Sequence, residues 1–182
     1  MYEVELKFPL PDPAAFRRRL AECGARPGPV VGQSDLYFNH PVRDFAQTDE
    51  AFRVRLSDDR AFVTYKGPLV DSQTKTRREI EVLLAGDHAG DKFAEILKLL
   101  GFRPVREVKK RRQPHELSWQ GRDFEVAIDD VVDLGVFAEF ETLADEAARP
   151  AATDAILALA SQFQLPPPER KSYLSLLLAK NV

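Results

Sequence analysis

The chain has 182 residues, of which 44% are hydrophobic and 30% are charged, and its formal net charge is -3 at pH 7. This composition is typical of a folded globular protein with a sizeable core, not of a disordered or membrane-spanning chain. The weakly acidic balance provides no overall field that attracts nucleic acid or anionic lipid. The single cysteine cannot form an internal disulfide, and the charged N-terminus is unlike a signal peptide. We therefore expect a cytoplasmic protein that binds neither nucleic acid nor membrane.

The first predicted element is a strand in the stretch EVELK, where charged and apolar residues alternate. Alternation at period two places Glu3, Glu5 and Lys7 on one face of the strand and the apolar residues between them on the other. One interpretation is a half-buried strand whose polar face meets water. The alternative, a charged face that points into the protein, depends on whether the pattern recurs.

A helix is predicted directly after this strand. Asp12 followed by Pro13 is a good N-cap and first helical position, and apolar residues recur at helical spacing until Gly24. Cys23 lies on that apolar stripe, so we expect it in the core and do not assign it as a nucleophile.

Three segments in the middle of the chain repeat the opening alternation: FRVRL, FVTYKGP and RREIEV. In each, polar or charged residues recur at i and i+2, while apolar residues occupy most positions between them. The residues that share the charged face are Arg53, Arg55, Thr64, Lys66, Arg77, Glu79 and Glu81.

A second helix is predicted over residues 88–100, where apolar residues recur at helical spacing until a glycine ends it. The basic run KKRR follows. Alternation pairs either Lys109 with Arg111 or Lys110 with Arg112 on one face of a strand. A β-bulge just before the run would reconcile the valines there with a single apolar face.

The last two predicted strands, FEVAID and FAEFE, again carry paired carboxylates. The first contributes Glu125 and Asp129, and the second contributes Glu139 and Glu141. Two further helices are predicted, one over residues 153–162 and a short one after the PPP motif.

The recurrence of charged strand faces favours a closed antiparallel barrel with a charged lumen. The charges cluster by sign at i and i+2, and the amphipathic helices can cover the apolar faces from outside. Helices on the outer face of a sheet leave the charged face pointing inward, and a closed barrel satisfies every strand at once.

Such a lumen indicates what it binds, because charges removed from water must be paired, hydrated or neutralised by a ligand. Carboxylate pairs suit hard divalent cations, whereas lysine and arginine suit phosphate oxygens. A metal-bound polyphosphate needs both. Glu3 and Glu5 would then face the metal, and Lys7 would face the phosphate beside it.

These residues resemble a known family. EVELK is similar to the E-x-E-x-K signature of the CYTH, or triphosphate tunnel metalloenzyme, superfamily, and the similarity continues through SDLYF, RVR, YKGP, R-x-E-x-E, KKRR and IDDVVDLGVFAEFE. The closing ERKSYLSLL resembles the C-terminal helix of the bacterial class IV adenylate cyclases, the CyaB-like branch. The resemblance spans essentially the whole chain. It implies a single CYTH domain over residues 1–182 with an α+β fold: an eight-stranded antiparallel β-barrel, or tunnel, with helices packed on the outside.

The resemblance also implies roles for individual residues. The implied ligands of Mg²⁺ or Mn²⁺ are Glu3, Glu5, Glu79, Glu81, Asp129, Glu139 and Glu141. The implied triphosphate-binding cations are Lys7, Arg53, Arg55, Lys66, Arg77, Lys110 and Arg112. The candidate catalytic residues are Lys7, Arg55 and Asp129. For each, the alternative is a lumen ion pair without direct substrate contact.

Three functions remain open. A class IV adenylate cyclase, converting ATP to cyclic AMP and pyrophosphate, is favoured by the similarity of YEVELKF, YKGP and the LG-x-FAE region to that branch. The alternative is an inorganic or thiamine triphosphatase that releases orthophosphate, favoured by the presence of both Glu139 and Glu141. A non-catalytic polyphosphate or nucleotide binder is disfavoured by the complete set of carboxylates. The partner is ATP or another triphosphate, and a homodimer is left open.

Overall fold

Nine strands and five helices form the part of the chain that the computed structural model describes, residues 1–71 and 73–180. The strands are β1 (Tyr2–Pro9), β2 (Arg26–Pro27), β3 (Val31–Asn39), β4 (Ala51–Ser57), β5 (Arg60–Leu69), β6 (Arg77–Leu84), β7 (Arg103–Trp119), β8 (Arg122–Val131) and β9 (Gly135–Ala144). The helices are α1 (Pro13–Glu22), α2 (Phe45–Thr48), α3 (Ala89–Leu99), α4 (Arg149–Ser161) and α5 (Tyr173–Ala179).

Eight of the strands form a closed antiparallel barrel, which confirms the predicted architecture. The strand order is β7-β3-β4-β5-β6-β1-β9-β8, and the barrel closes because β7 also pairs with β8. β7 can close it because it is 17 residues long and lies between β3 and β8. β2 adds a short ninth strand beside the distal part of β7, opposite His115 and Glu116.

The register brings the charged positions of neighbouring strands together. Glu5 lies opposite Glu141, Lys7 lies opposite Glu139, and on the far side Arg112 lies opposite Asp129. Because side chains alternate across a strand, residues paired in this way share one face of the sheet. In the closed barrel that face is the lumen.

The register of the KKRR run is settled by a bulge. Tyr37 of β3 pairs with Arg106, but the next residue of β3 pairs with Pro104, so β7 carries one extra residue at this point. Lys110 and Arg112 are consequently buried in the lumen, whereas the other two members of the run are exposed.

The outer apolar face of β1, β8 and β9 packs against α1 and α4. Phe140 of β9 is fully buried, with ring contacts to Phe8, to Phe16 of α1 and to Phe163 just after α4. A smaller cluster lies under α3, where Leu97 packs with Phe38 and neighbouring residues. These two clusters hold the barrel from outside, and their apolar character is what turns the charged faces inward.

Two expectations about the outer surface are wrong. Cys23 is exposed, because α1 ends at Glu22 and the chain turns so that Ala25 takes the buried position. The outer face of β6 is also incompletely covered, and Ile80 and Val82 remain 46% and 51% exposed.

The predicted helices are present, with shifts at their ends. α3 matches its predicted range to within one residue. α4 begins four residues earlier than predicted, with a proline in its first turn. α2 and β2 were not predicted, because four-residue and two-residue elements show no periodicity. None of the helices in the described residues has the length and apolar character needed to cross a membrane.

α5 packs near the turn between β8 and β9. Tyr173 and Leu177 of α5 form an apolar cluster with Tyr37, Val131 and Phe137. The C-terminal segment is also tied to the first strand, because the Glu169 N–H donates to the Lys7 carbonyl oxygen at 2.7 Å. The segment before α5 therefore lies against the lumen and supplies part of its lining.

The outer core should dominate stability. Phe140→Ala is expected to lower the free energy of unfolding by about 3–5 kcal/mol, because it leaves a cavity among three aromatic rings. Val82→Ala, on the half-exposed face of β6, should cost less than about 1 kcal/mol. Urea denaturation of the two variants measures the difference, and similar losses would show that the outer cluster has been misidentified.

Candidate functional site

The barrel lumen is a cavity of about 1350 Å³ lined by charged side chains. Those that are at most 9% exposed are Glu3, Glu5, Lys7, Arg55, Lys110, Arg112 and Glu139, and the equally buried Asp35 and Asp129 lie behind them against Arg55, Lys110 and Arg112. Charges this deeply buried are stable only when each has a counter-charge or a ligand. The pairings within the lumen therefore show which groups are already neutralised.

Three carboxylates converge on one point of the lumen wall. One oxygen each from Glu3, Glu5 and Glu141 lies within 4.8 Å of the others. β1 supplies the first two at i and i+2, and β9 supplies the third because Glu141 is the register partner of Glu5. We refer to these three residues as the carboxylate cluster.

The cluster has three carboxylates but only two closely paired cations among the described residues. Glu3 accepts hydrogen bonds from Lys66 Nζ at 2.7 and 3.1 Å, and Glu5 accepts one from Lys75 Nζ at 2.5 Å. Among the described residues, the nearest ion-pair partner of Glu141 is Arg112, whose Nη1 lies 3.7 Å away. Burial and the neighbouring Glu3 carboxylate raise the pKa of Glu141 to about 8. Three converging carboxylate oxygens form a donor set of the kind that suits Mg²⁺ or Mn²⁺.

A second group of charges inside the barrel is internally paired. Asp129 is fully buried and accepts from Lys110 Nζ at 2.7 Å and from Arg112 Nε and Nη2 at 2.8 and 2.7 Å. Arg112 also donates to Glu139, and the Tyr173 hydroxyl donates to Asp129 at 3.1 Å. Burial opposes ionisation of Asp129 and Glu139, but Arg112 and Lys110 outweigh it and lower the pKa of both carboxyls.

A third group is centred on Asp35 of β3. Arg55 forms a bidentate ion pair with it, donating from Nε to Oδ1 at 2.6 Å and from Nη2 to Oδ2 at 2.8 Å. Arg53 Nη1 donates to Oδ2 at 3.2 Å. Burial opposes ionisation of Asp35, but the two arginines lower its pKa well below the usual range. Both guanidinium groups are thereby held in fixed orientations.

The remaining predicted residues line the wall formed by β5 and β6. Lys66 lies between Glu3 and Glu79, at 2.7 Å from an oxygen of each. Glu81 accepts from the Thr64 hydroxyl at 2.8 Å. Arg77 also lines the cavity, with Nη2 3.7 Å from Asp49 Oδ1.

Lys7 lies where the first strand meets the C-terminal segment. Its ammonium donates to the Lys171 carbonyl oxygen and lies 4.2 Å from the centre of the Tyr173 ring. Burial, with a smaller effect from the Lys75 charge, lowers the pKa of Lys7 to about 8.

The structure thus brings the sequence-predicted residues together inside the barrel, where all but Asp129 line the cavity, but it divides the carboxylates. Glu3, Glu5 and Glu141 converge, while Glu79, Glu81, Asp129 and Glu139 each lie against cations or hydroxyl donors. Sequence reasoning assigned no role to Asp35 and overlooked Lys75. Lys75 lies two residues before the predicted Arg77, and this i, i+2 spacing is a signal that could have identified Lys75.

Comparison with known proteins identifies the family. The sequence pattern of the CYTH domain matches residues 1–173, and the chain belongs to the CYTH family. A protein of Methanocaldococcus jannaschii, named as a candidate adenylate cyclase, is 41% identical over 141 residues, covering 78% of this chain and 77% of the relative.

Solved structures share the fold. The PH1819 protein of Pyrococcus horikoshii superposes with a TM-score of 0.85 at 36% identity, covering 98% of this chain and 99% of that one. A Hippeastrum candidate adenylyl cyclase, described as having a dominant triphosphatase activity, superposes with a TM-score of 0.67 at 16% identity and covers 98% and 95% of the two chains. At that identity the likeness shows the fold alone.

The pKa of Glu141 generates a pH dependence of stability. Its folded-state pKa of about 8 exceeds its usual value of 4.5, so the folded protein binds the extra proton between these two pH values. The stabilisation is complete below pH 4.5 and is lost as the pH rises through about 8. In chelator, the free energy of unfolding of wild type relative to Glu141→Gln should therefore fall across this interval. A constant difference would show that Glu141 is not protonated in the lumen.

Proposed function

We propose that the protein is a metal-dependent enzyme that acts on a triphosphate inside the barrel, and that it converts ATP to cyclic AMP and pyrophosphate. The observation that carries the proposal is the carboxylate cluster, in which three oxygens converge while Glu141 lies 3.7 Å from its nearest ion-pair partner among the described residues, in one cavity with buried cations. A divalent cation would replace the proton of Glu141 and be held by all three carboxylates, and the buried cations supply partners for phosphate. The assignment of ATP is supported by the relatedness to the Methanocaldococcus protein named as a candidate adenylate cyclase.

The metal ligands in this proposal are Glu3, Glu5 and Glu141. A bound Mg²⁺ or Mn²⁺ would supply positive charge at the phosphate oxygens as the leaving group departs. Asp129 and Glu139 are assigned a positioning role, because their oxygens already accept from Lys110 and Arg112. Glu79 and Glu81 likewise position the neighbouring cation and hydroxyl groups of β5.

The triphosphate ligands in this proposal are the lumen cations Lys7, Arg53, Arg55, Lys66, Arg77, Lys110 and Arg112. Asp35 and Asp129 hold four of the arginine and lysine heads rigidly, so these heads are already oriented when the anion enters. Fixed donors of this kind stabilise developing charge without reorganisation during the reaction. Cyclisation further requires the ribose 3′-hydroxyl to lie in line with the bond to pyrophosphate, with reacting atoms about 3 to 3.5 Å apart.

An inorganic or thiamine triphosphatase is the second candidate. It is favoured by the number of buried cations, because they recognise the triphosphate group and not the organic group attached to it. In that case water, not a ribose hydroxyl, attacks, and the terminal phosphate leaves as orthophosphate.

A single domain over residues 1–182, a cytoplasmic location and a homodimer stay predictions.

Product analysis tests the proposal and separates the two enzymes. Purified protein is incubated with ATP or with inorganic triphosphate, in Mg²⁺, in Mn²⁺ and in excess chelator, and the products are separated by chromatography. We expect cyclic AMP and pyrophosphate from ATP, with no turnover in chelator. Orthophosphate without cyclic AMP would overturn the cyclase assignment, and full activity in chelator would overturn the metal role.

A pair of variants controls this experiment. Glu141→Gln removes a proposed metal ligand without leaving a closely paired cation unsatisfied, and it should lower activity on the order of 100-fold, a loss of about 2.7 kcal/mol in transition-state stabilisation. Glu22→Gln makes the same chemical change at an exposed position of α1 and should leave activity unchanged.

A further inference from the structure

Lys75 is a buried lysine in the loop between β5 and β6. Its side chain is only 11% exposed, and its ammonium nitrogen lies 2.5 Å from Glu5 Oε1 of the carboxylate cluster. The residues on either side, Thr74 and Thr76, are almost completely buried, and their hydroxyl oxygens lie 2.6 Å apart in a hydrogen bond. A lysine in a surface loop is ordinarily exposed.

The loop is fixed to the barrel by backbone hydrogen bonds. The Lys75 N–H donates to the Glu5 carbonyl oxygen at 2.9 Å, which extends the short pairing of β1 with β6. The Val70 N–H donates to the Thr76 carbonyl oxygen at 2.9 Å, and Asp71 accepts from the Thr74 N–H at 3.0 Å. The backbone therefore holds the Lys75 side chain toward the lumen.

The electrostatic surroundings of Lys75 contain both carboxylates and other cations. Burial opposes its protonation, but Glu5 and Glu139 outweigh burial and raise the pKa of Lys75, so it is a cation. Lys75 lines the same cavity as Lys7 and Arg77, where its charge acts unfavourably on Lys7 and is itself opposed by Arg77. Both of these are proposed triphosphate ligands. An anion near the three cations would relieve their mutual repulsion.

We propose that Lys75 is a cation that changes partner during substrate binding: it neutralises Glu5 before the metal binds, and it then binds a phosphate oxygen of the incoming triphosphate. This inference rests on the proposed function. A divalent cation at the carboxylate cluster repels an ammonium that lies 2.5 Å from one of its ligands. Lys75 moves by rotation of its side chain alone, toward the phosphate shared with Lys7 and Arg77. No covalent bond is made or broken.

The exchange has a consequence that a purely structural ion pair lacks. Removing the charge of Lys75 removes a competitor for the metal, so the metal should bind more tightly in the absence of substrate. The same change removes a phosphate ligand, so the triphosphate should bind more weakly. A residue that only supports the fold would lower both affinities or neither.

Isothermal titration calorimetry of Lys75→Met measures both affinities. Mg²⁺ alone is titrated first, followed by a methylene-bridged inorganic triphosphate analogue in saturating Mg²⁺. We expect Mg²⁺ to bind about tenfold more tightly and the analogue about tenfold or more weakly than in wild type. Lys92→Met, at an exposed position of α3, should match wild type in both titrations.

Any other combination of changes in the Mg²⁺ and analogue affinities of Lys75→Met overturns the proposal that Lys75 changes partner. If wild type binds the analogue and Lys75→Met is indistinguishable from it, Lys75 has no such role and the proposed function stands. If wild type binds neither Mg²⁺ nor the analogue, both proposals fail. Should the variant not fold, a crystal structure of wild type with Mg²⁺ and the analogue decides: Lys75 Nζ must lie about 3 Å from a phosphate oxygen, and retention of its contact with Glu5 contradicts the proposal.

Discussion

The burial of many charges inside one barrel is the constraint on which the rest of the structure depends. An ion moved from water into a protein interior loses several kcal/mol of solvation, which only a partner or a ligand can restore. Asp35 and Asp129 meet this requirement through arginine and lysine donors at 2.6 to 3.2 Å. The carboxylate cluster meets it only in part, because Glu141 lies 3.7 Å from its nearest ion-pair partner among the described residues. The site where internal pairing is incomplete is the site that fits a ligand.

Apolar packing on the outer face of the barrel stabilises this arrangement of buried charges. The aromatic cluster around Phe140 and the apolar faces of α1 and α4 bury the other side of β1 and β9. Because side chains alternate, burying that face fixes Glu3, Glu5 and Glu141 in the lumen, and a slip of one residue would expose the aromatic cluster. The apolar packing on the outer face of the barrel therefore offsets the cost of placing three carboxyl groups close together in the lumen.

Much of the barrel could be predicted from the sequence, because alternation in strands is a local signal. The charged faces of β1, β4, β5, β6, β8 and β9 follow from spacing, and the helices follow from apolar stripes. KKRR alone left two registers, because the signal there depends on a bulge in β7 that no residue type marks. The exposure of Cys23 and Ile80 was equally unpredictable, since it depends on where helices end and which strands they cover.

The site could be predicted as a set of residues but not as a set of partners. Spacing places eight carboxylates on inward strand faces, yet only the register shows that Glu141 joins Glu3 and Glu5 while Glu139 faces Arg112. Asp35 pairs with Arg55 across strands, so its role depends on the register of β3 with β4. Lys75 was missed because it lies in a loop, where alternation carries less weight, and its contact with Glu5 joins residues far apart in sequence.

Anomalous diffraction from crystals soaked in Mn²⁺ tests the central claim most directly, because Mn²⁺ is located by its own scattering. The account predicts a single strong peak among the carboxylate oxygens of Glu3, Glu5 and Glu141, at metal–oxygen distances of about 2.0–2.2 Å, close to those of Mg²⁺. Occupied Mn²⁺ sites elsewhere in the lumen, with none at this cluster, would contradict it.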